Sequence, residues 1–171
     1  MSEFLTPLGE LNDMQRHALE EAARVLDRSY TPYSNFNVAA CLYNEETGEF
    51  VTGNNFENAS YGLTICAERS AIVAANARGM RDFTGIAVIG RGKDFDTEDI
   101  TAPCGACRQV IYELSQICGR NITVILSTTR MDKIEVKTIH DLLPSGFGPK
   151  DLGIDVSGYK TTHQHRTDTN S

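Results

Sequence analysis

No stretch of this 171-residue chain approaches the about 20 consecutive apolar residues that a membrane-spanning helix needs. The first residues carry acids where a secretory leader would be basic, so no such signal is expected. Positive charge is also scarce, with 16 Lys and Arg against 23 Asp and Glu for a formal charge of −7. That balance gives little attraction to nucleic acid or an anionic membrane, and neither is expected as a partner. There is no glycine-rich phosphate loop, no basic-aromatic stripe, no repeat and no internal domain boundary. The five cysteines are an odd number with poor spacing for a disulfide framework. Reduced cytosolic thiols, three of them on a metal, explain them better. The expected location is the cytoplasm, with the nucleus also open.

What remains is the size and pattern of one compact α/β domain. Met14, Ala18, Leu19, Ala22, Val25 and Leu26 recur at helical spacing and predict a helix over Asn12–Arg28 that packs on a sheet. Phe36, Val38, Ala40 and Leu42 alternate as a strand, and Glu45–Gly48 turns it into an antiparallel second strand near Glu49–Gly53. The alanine-rich run from Cys66 to Ala77 predicts a mostly buried helix ended by Gly79. A strand follows over Thr84–Gly90, then a charged surface loop over Arg91–Ile100. Pro103 is expected in the first turn of another helix, with Cys104 and Cys107 beyond it. Strands are predicted at Ile122–Leu126 and Ile134–Val136, and the short link between them requires an antiparallel pair. The order α-β-β-α-β-α-β-β gives a five-stranded mixed sheet packed by helices. A last short helix and turn are expected within Leu142–Pro149. One folded domain is expected over residues 1–156, with a polar, Thr-rich tail over 157–171.

The chemistry gathers at Cys66-Ala67-Glu68 and Pro103-Cys104-Gly105-Ala106-Cys107. Cys104 and Cys107, three apart at a helix start, can face one ion. A lone CxxC fits a redox pair or half of a structural zinc site equally well. Cys66 adds a third soft thiolate, which selects zinc and leaves a fourth position open for water. Three thiolates leave one net negative charge on Zn2+, an excess that helix N-termini and Arg69 can offset. Glu68 beside such a site is a candidate proton carrier rather than a fourth ligand, because ligation would close the site. A buried structural carboxylate and a surface arginine are the plain alternatives for Glu68 and Arg69. Cys41 and Cys118 fit small buried hydrophobes. His163 and His165 resemble a two-histidine metal fragment, weak by itself in a polar tail.

This metal motif resembles the all-cysteine form of the zinc nucleobase deaminase signature. The surrounding stretches are more specific: Tyr33-Ser34-Asn35-Phe36, then Gly53 through Gly62, then Cys66-Ala67-Glu68-Arg69. Pro103 through Gln109, Leu142-Leu143-Pro144 and Phe147-Gly148-Pro149 complete the set. Together they resemble cytidine deaminase, the small free-nucleoside enzyme of pyrimidine salvage, over roughly residues 12–155. The resemblance implies a three-layer cytidine deaminase-like fold and one Zn2+ per subunit held by Cys66, Cys104 and Cys107. It implies hydrolytic deamination of cytidine and 2′-deoxycytidine, with Glu68 shuttling protons. Phe36 is implied against the pyrimidine ring, Asn55 and Glu57 on the ribose 3′-hydroxyl, and the Ala67 backbone on the base. It further implies a homotetramer with shared active sites, whose common walls include Tyr61 and Phe147.

Read without the family, Phe36 fits a core position, Asn55 and Glu57 a solvated turn, Tyr61 a subunit contact, and Phe147 an anchor for the terminal segment. Phe56 is bulkier than the residue usual at its place, and the Arg91–Ile100 stretch is longer than in compact members. Blasticidin-type deamination shares the same chemistry. A polynucleotide-editing deaminase and a structural zinc module are the more distant readings.

Overall fold

The computed structural model describes residues 5–160. Helix α1 (Asp13–Val25) begins at Asn12, whose side chain accepts from the Gln15 N–H while Gln15 reaches back to the Asn12 N–H. That reciprocal capping satisfies two backbone donors otherwise left open at a helix start. Strands β1 (Phe36–Tyr43) and β2 (Phe50–Asn54) form the expected antiparallel hairpin. Then follow α2 (Ala67–Ala77), β3 (Gly85–Gly92), α3 (Gly105–Cys118), β4 (Thr123–Ser127), β5 (Ile134–Thr138) and the short α4 (Ile139–Leu142). The sheet order is β2-β1-β3-β4-β5. Only β3 and β4 run parallel, with α3 as their crossover, and β4 and β5 are antiparallel as the short link requires. The fold is the five-stranded mixed sheet packed by helices that the pattern predicts.

Three layers follow from where each strand's side chains point. Ala40, Leu42, Val88, Val124 and Leu126 share one core with Ala67, Ala71 and Ala75 of α2 and Ile111 and Leu114 of α3. Ala39, Cys41, Tyr43, Ala87, Ile89 and Ile125 form the other core with Ala18, Leu19, Ala22 and Val25 of α1. A simple alternation in β1 therefore captures only one of its faces. From Ala39 to Tyr43 the strand is buried on both, as expected for a sheet covered by helices on each side.

Several boundaries differ from the sequence expectation. Strand β3 continues through Arg91 and Gly92 into the expected loop, because both residues pair with the start of β1. The rest of that loop is tied down. Lys133 donates to the Glu98 carbonyl and Thr129 to the Asp96 carboxylate. Pro103 lies before the helix, not in its first turn, since Cys104 is the N-cap with extended backbone. The expected helix within 142–149 is displaced, with α4 ending at Leu142 and a 3₁₀ turn over Pro149–Leu152. A further 3₁₀ turn spans Ser157–Tyr159. There Arg81 donates to the Tyr159 carbonyl and Lys160 pairs with Asp82. Residues 161–171 of the expected tail, with His163 and His165, lie outside the described residues. Among the described residues no helix is long and apolar enough to cross a membrane.

One contact between layers sets the position of the site. A Cβ on Gly53 of β2 would lie 2.2 Å from the Ala71 nitrogen and 2.6 Å from the Ala67 oxygen. Both are backbone atoms of α2, so the helix sits this close to the sheet only because residue 53 has no side chain. Gly53→Val should push α2 outward and cost about 1–3 kcal/mol. Thermal unfolding checks it, with Tm expected to fall by ~2–4 °C per kcal/mol. An unchanged Tm would refute the close-approach argument.

Candidate metal centre and active site

Helices α2 and α3, which share one core, start side by side, and a cysteine occupies the N-cap position of each. Cys66 precedes α2 with φ −72° and ψ 156°, and Cys104 precedes α3 with φ −66° and ψ 166°. Neither side chain caps its own helix, so both thiols are left to project toward one another near the positive helix ends. Cys107, in the first turn of α3, completes the group. The Cys66 and Cys104 sulfurs are 3.9 Å apart, and those of Cys104 and Cys107 3.5 Å. Zn–S bonds of about 2.3 Å in a tetrahedron place sulfurs about 3.8 Å apart. All three sulfurs lie within 4.8 Å of one another, so the donor set fits one Zn2+ per subunit and leaves a fourth position unfilled by cysteine.

Electrostatics follow the same geometry. The hydrogen bond shared with Cys107 lowers the Cys66 thiol to about 5 against the opposing effect of burial, and Arg69 adds to the lowering. The Cys107 thiol is pushed the other way, its pKa raised by that same bond and by burial. The Arg69 guanidinium donates to the Cys66 sulfur at 3.5 Å and to the Thr64 carbonyl at 2.9 Å. It thus clamps the chain leading into the cluster while placing a cation on a thiolate, the position expected of it.

Glu68 is buried, with 3% of its surface exposed. Burial raises its carboxyl above the usual range, the charge of Cys66 raises it further, and a hydrogen bond with Cys107 opposes them. Two residues of a regular helix that are two apart diverge, yet Cys66 and Glu68 both reach the cluster. The reason is that Cys66 is not helical. Its extended backbone redirects the sulfur before the helix begins.

Main-chain pairing ties several of the other expected site residues to the segment that leads into the cluster. Phe56 exchanges two backbone hydrogen bonds with Ile65, immediately before Cys66, and Tyr30 pairs with the same segment from the other side. This small ladder fixes Asn55 and Glu57 relative to the metal cluster. Asn55 accepts from the Val38 N–H and donates to the Phe36 carbonyl, both at 2.9 Å. Glu57 accepts from the N–H groups of Tyr33 and Ser34 at 2.9 and 3.2 Å. Burial pushes its pKa up, but bonds from the Ser34 side chain and these N–H groups hold the carboxyl below its usual range. Phe36 is half-buried at the start of β1, its ring against Gly90. Ala67 is fully buried as the first residue of α2. Phe56 points away, stacked on Tyr30 at 4.9 Å.

A cavity of about 350 Å³ is lined by Tyr33, Ser34, Glu57, Tyr61 and Thr64. Tyr61 is 73% exposed and leans on Tyr33 with ring centres 5.6 Å apart. Of the expected substrate residues only Glu57 and Tyr61 line it; Phe36, Asn55, Ala67 and Phe147 do not, and Phe147 is 60% exposed. Sequence reasoning did not single out Tyr33, Ser34 and Thr64 as lining residues. The usable signal was the irregular, polar character of the two stretches that hold them.

Comparison with known proteins agrees with this geometry. Residues 12–120 match the family described as the cytidine and deoxycytidylate deaminase zinc-binding region. A cytidine deaminase of Halalkalibacterium halodurans is 42% identical over 134 residues, 78% of this chain and 94% of its own length. A probable cytidine deaminase of Dictyostelium discoideum is 39% identical over 72% of this chain and 77% of its own. The crystal structure of cytidine deaminase from Burkholderia pseudomallei superposes with a TM-score of 0.66 at 44% identity, covering 78% of this chain and all of that one. With the three-sulfur cluster in this fold the protein is a hydrolytic zinc deaminase, and the chain belongs to the cytidine and deoxycytidylate deaminase zinc-binding family.

Proposed function

We propose that the protein converts cytidine and 2′-deoxycytidine to uridine and 2′-deoxyuridine with release of ammonia. The observation that carries this reading is a buried carboxyl of raised pKa, Glu68, in contact with a three-cysteine cluster. Thr64, two residues before Cys66, lines a cavity of about 350 Å³ with Glu57 and Tyr61. Zinc, when bound by Cys66, Cys104 and Cys107, supplies the Lewis acidity that makes water nucleophilic at neutral pH. Glu68 accepts a proton from the attacking water, delivers it to N3 of the pyrimidine, and afterwards carries a second proton to the departing amine. Burial keeps that carboxyl away from bulk water between the two transfers. Phe36 packs against the base and the Ala67 backbone reads its edge. Asn55 and Glu57, already fixed by their main-chain bonds, take the ribose 3′-hydroxyl.

The family spans nucleoside and nucleotide substrates, and the charge of the cavity favours the nucleoside. On one protomer, among the described residues, its walls include Glu57, whose carboxyl is held below its usual range, and no Lys or Arg. A 5′-phosphate would therefore meet a carboxylate without a cation of the same protomer to offset it. Tyr61 and Phe147, both well exposed on one protomer, are assigned to walls shared between copies in a homotetramer. The catalytic domain is assigned to 1–156. A reducing compartment, cytoplasmic or nuclear, suits three free thiolate ligands.

The test is product analysis on the zinc-loaded protein, with uridine and ammonia expected in equal amounts from cytidine. Deoxycytidylate, blasticidin S and single-stranded RNA and DNA serve as competitors. Absence of uridine overturns the reading, and a clear preference for any competitor replaces the substrate class. Light scattering that finds an active monomer at all concentrations rejects the shared walls and leaves the chemistry in place.

A further inference from the structure

Phe147 is held outward by an arrangement that the reaction itself does not require. The Gln109 side chain, in the second turn of α3, donates to the Phe147 carbonyl at 2.7 Å across 38 residues of sequence. On either side of Phe147 the chain lies directly against the Tyr112 ring, which is 3% exposed. A Cβ at Gly146 would come within 2.8 Å of Tyr112 Cδ2, and one at Gly148 within 2.7 Å of Tyr112 Cε1. The two glycines straddle opposite edges of one buried ring. Gly148 is extended, with φ −149° and ψ −176°. Successive side chains of extended backbone point to opposite faces. Directions that carry Gly146 and Gly148 into Tyr112 therefore send the Phe147 ring away from the protomer.

The same helix carries the metal cluster. Arg108, next to Gln109, donates to the Pro103 carbonyl just before Cys104 and to the Leu142 carbonyl at the end of α4. The first two turns of α3 thus hold Cys107 on one side and the Phe147 segment on another.

We propose that Gln109 is a positioning residue. It fixes the Phe147 ring that the reading above assigns to a wall shared with a second copy. This rests on the nucleoside reading above. Phe147 is not among the residues that line the cavity of its own protomer, and its exposed ring is free to face a second copy. Its outward rigidity is what such a wall needs, since ordering a loose aromatic on binding would cost affinity.

The test compares Gln109→Met, Phe147→Ala and the double variant in the zinc-loaded protein. Gln109→Met keeps the length and removes the donor. It should raise KM for cytidine ~2–10-fold, the size of one net hydrogen bond, while kcat and zinc content stay near wild type. The double variant should match Phe147→Ala alone, because Gln109 acts only through that ring. Hydrogen exchange of the amides from Gly148 to Leu152 should also quicken in Gln109→Met. Finally, mixed oligomers of Phe147→Ala and Glu68→Gln chains should recover a lower KM than Phe147→Ala alone. Additive effects on KM, or unchanged exchange, overturn the positioning role. No recovery in the mixed oligomers overturns the second-copy site. If the wild-type protein makes no uridine, the nucleoside reading fails, and the exchange measurement still decides whether Gln109 holds the segment.

Discussion

Glu68→Gln should lower turnover by ~10²–10⁴ while leaving the zinc content near one per subunit. The substitution preserves the shape of a side chain that is 3% exposed and removes only its capacity to carry a proton. Two separate transfers depend on that capacity, so the loss should lie at the upper part of the range. Burial, the first cause of the raised carboxyl pKa, persists when a metal is bound, whereas a cation offsets the contribution of the Cys66 charge. The carboxylate form must take the first proton from water. Rate should therefore fall as pH drops through the Glu68 pKa, and that limb should vanish from the residual activity of Glu68→Gln. Metal analysis beside a pH–rate profile checks both. A metal-free variant would move Glu68 into the ligand set, and a near-normal rate would remove it from the chemistry.

How far the sequence discloses such a site depends on the kind of information each residue carries. The three cysteines and Glu68 are legible because thiolates at that spacing have few other uses. The five strands and three main helices are legible through their apolar periodicity. What escapes is set by contacts between distant segments. The double burial of β1 is invisible in alternation, since Ala39 and Cys41 satisfy a small-residue face that only α1 reveals. Asn55 and Glu57 read as a polar turn until the Phe56–Ile65 pairing shows what holds them. Pro103 reads as a helix start, yet the backbone stays extended one residue longer so that Cys104 can face the cluster. Gln109 carries no local signal at all, since its partner is a main-chain carbonyl far along the sequence.

Removing one ligand separates the metal's structural share from its chemical one. Cys104→Ala should abolish activity and leave the purified protein with little zinc after dialysis. The variant loses a sulfur that lies 3.9 Å from that of Cys66 and 3.5 Å from that of Cys107. Two remaining sulfurs cannot enclose the ion, and four-ligand zinc sites bind with apparent energies of about 10–16 kcal/mol, which are also folding energies. Because Cys66 and Cys104 hold the N-cap positions of α2 and α3, zinc cross-links two helix starts. Tm should consequently fall further than in Glu68→Gln, which keeps every sulfur. Cys118→Ala provides the contrast within the same residue type. Its thiol donates to the Arg81 carbonyl and accepts from the Phe83 N–H, so losing it leaves a buried donor unpaired at about 1–3 kcal/mol. That variant should lose stability and retain its zinc. If Cys104→Ala kept a full equivalent of tightly held zinc and Cys118→Ala lost it, the assignment of ligands among the five cysteines would be wrong.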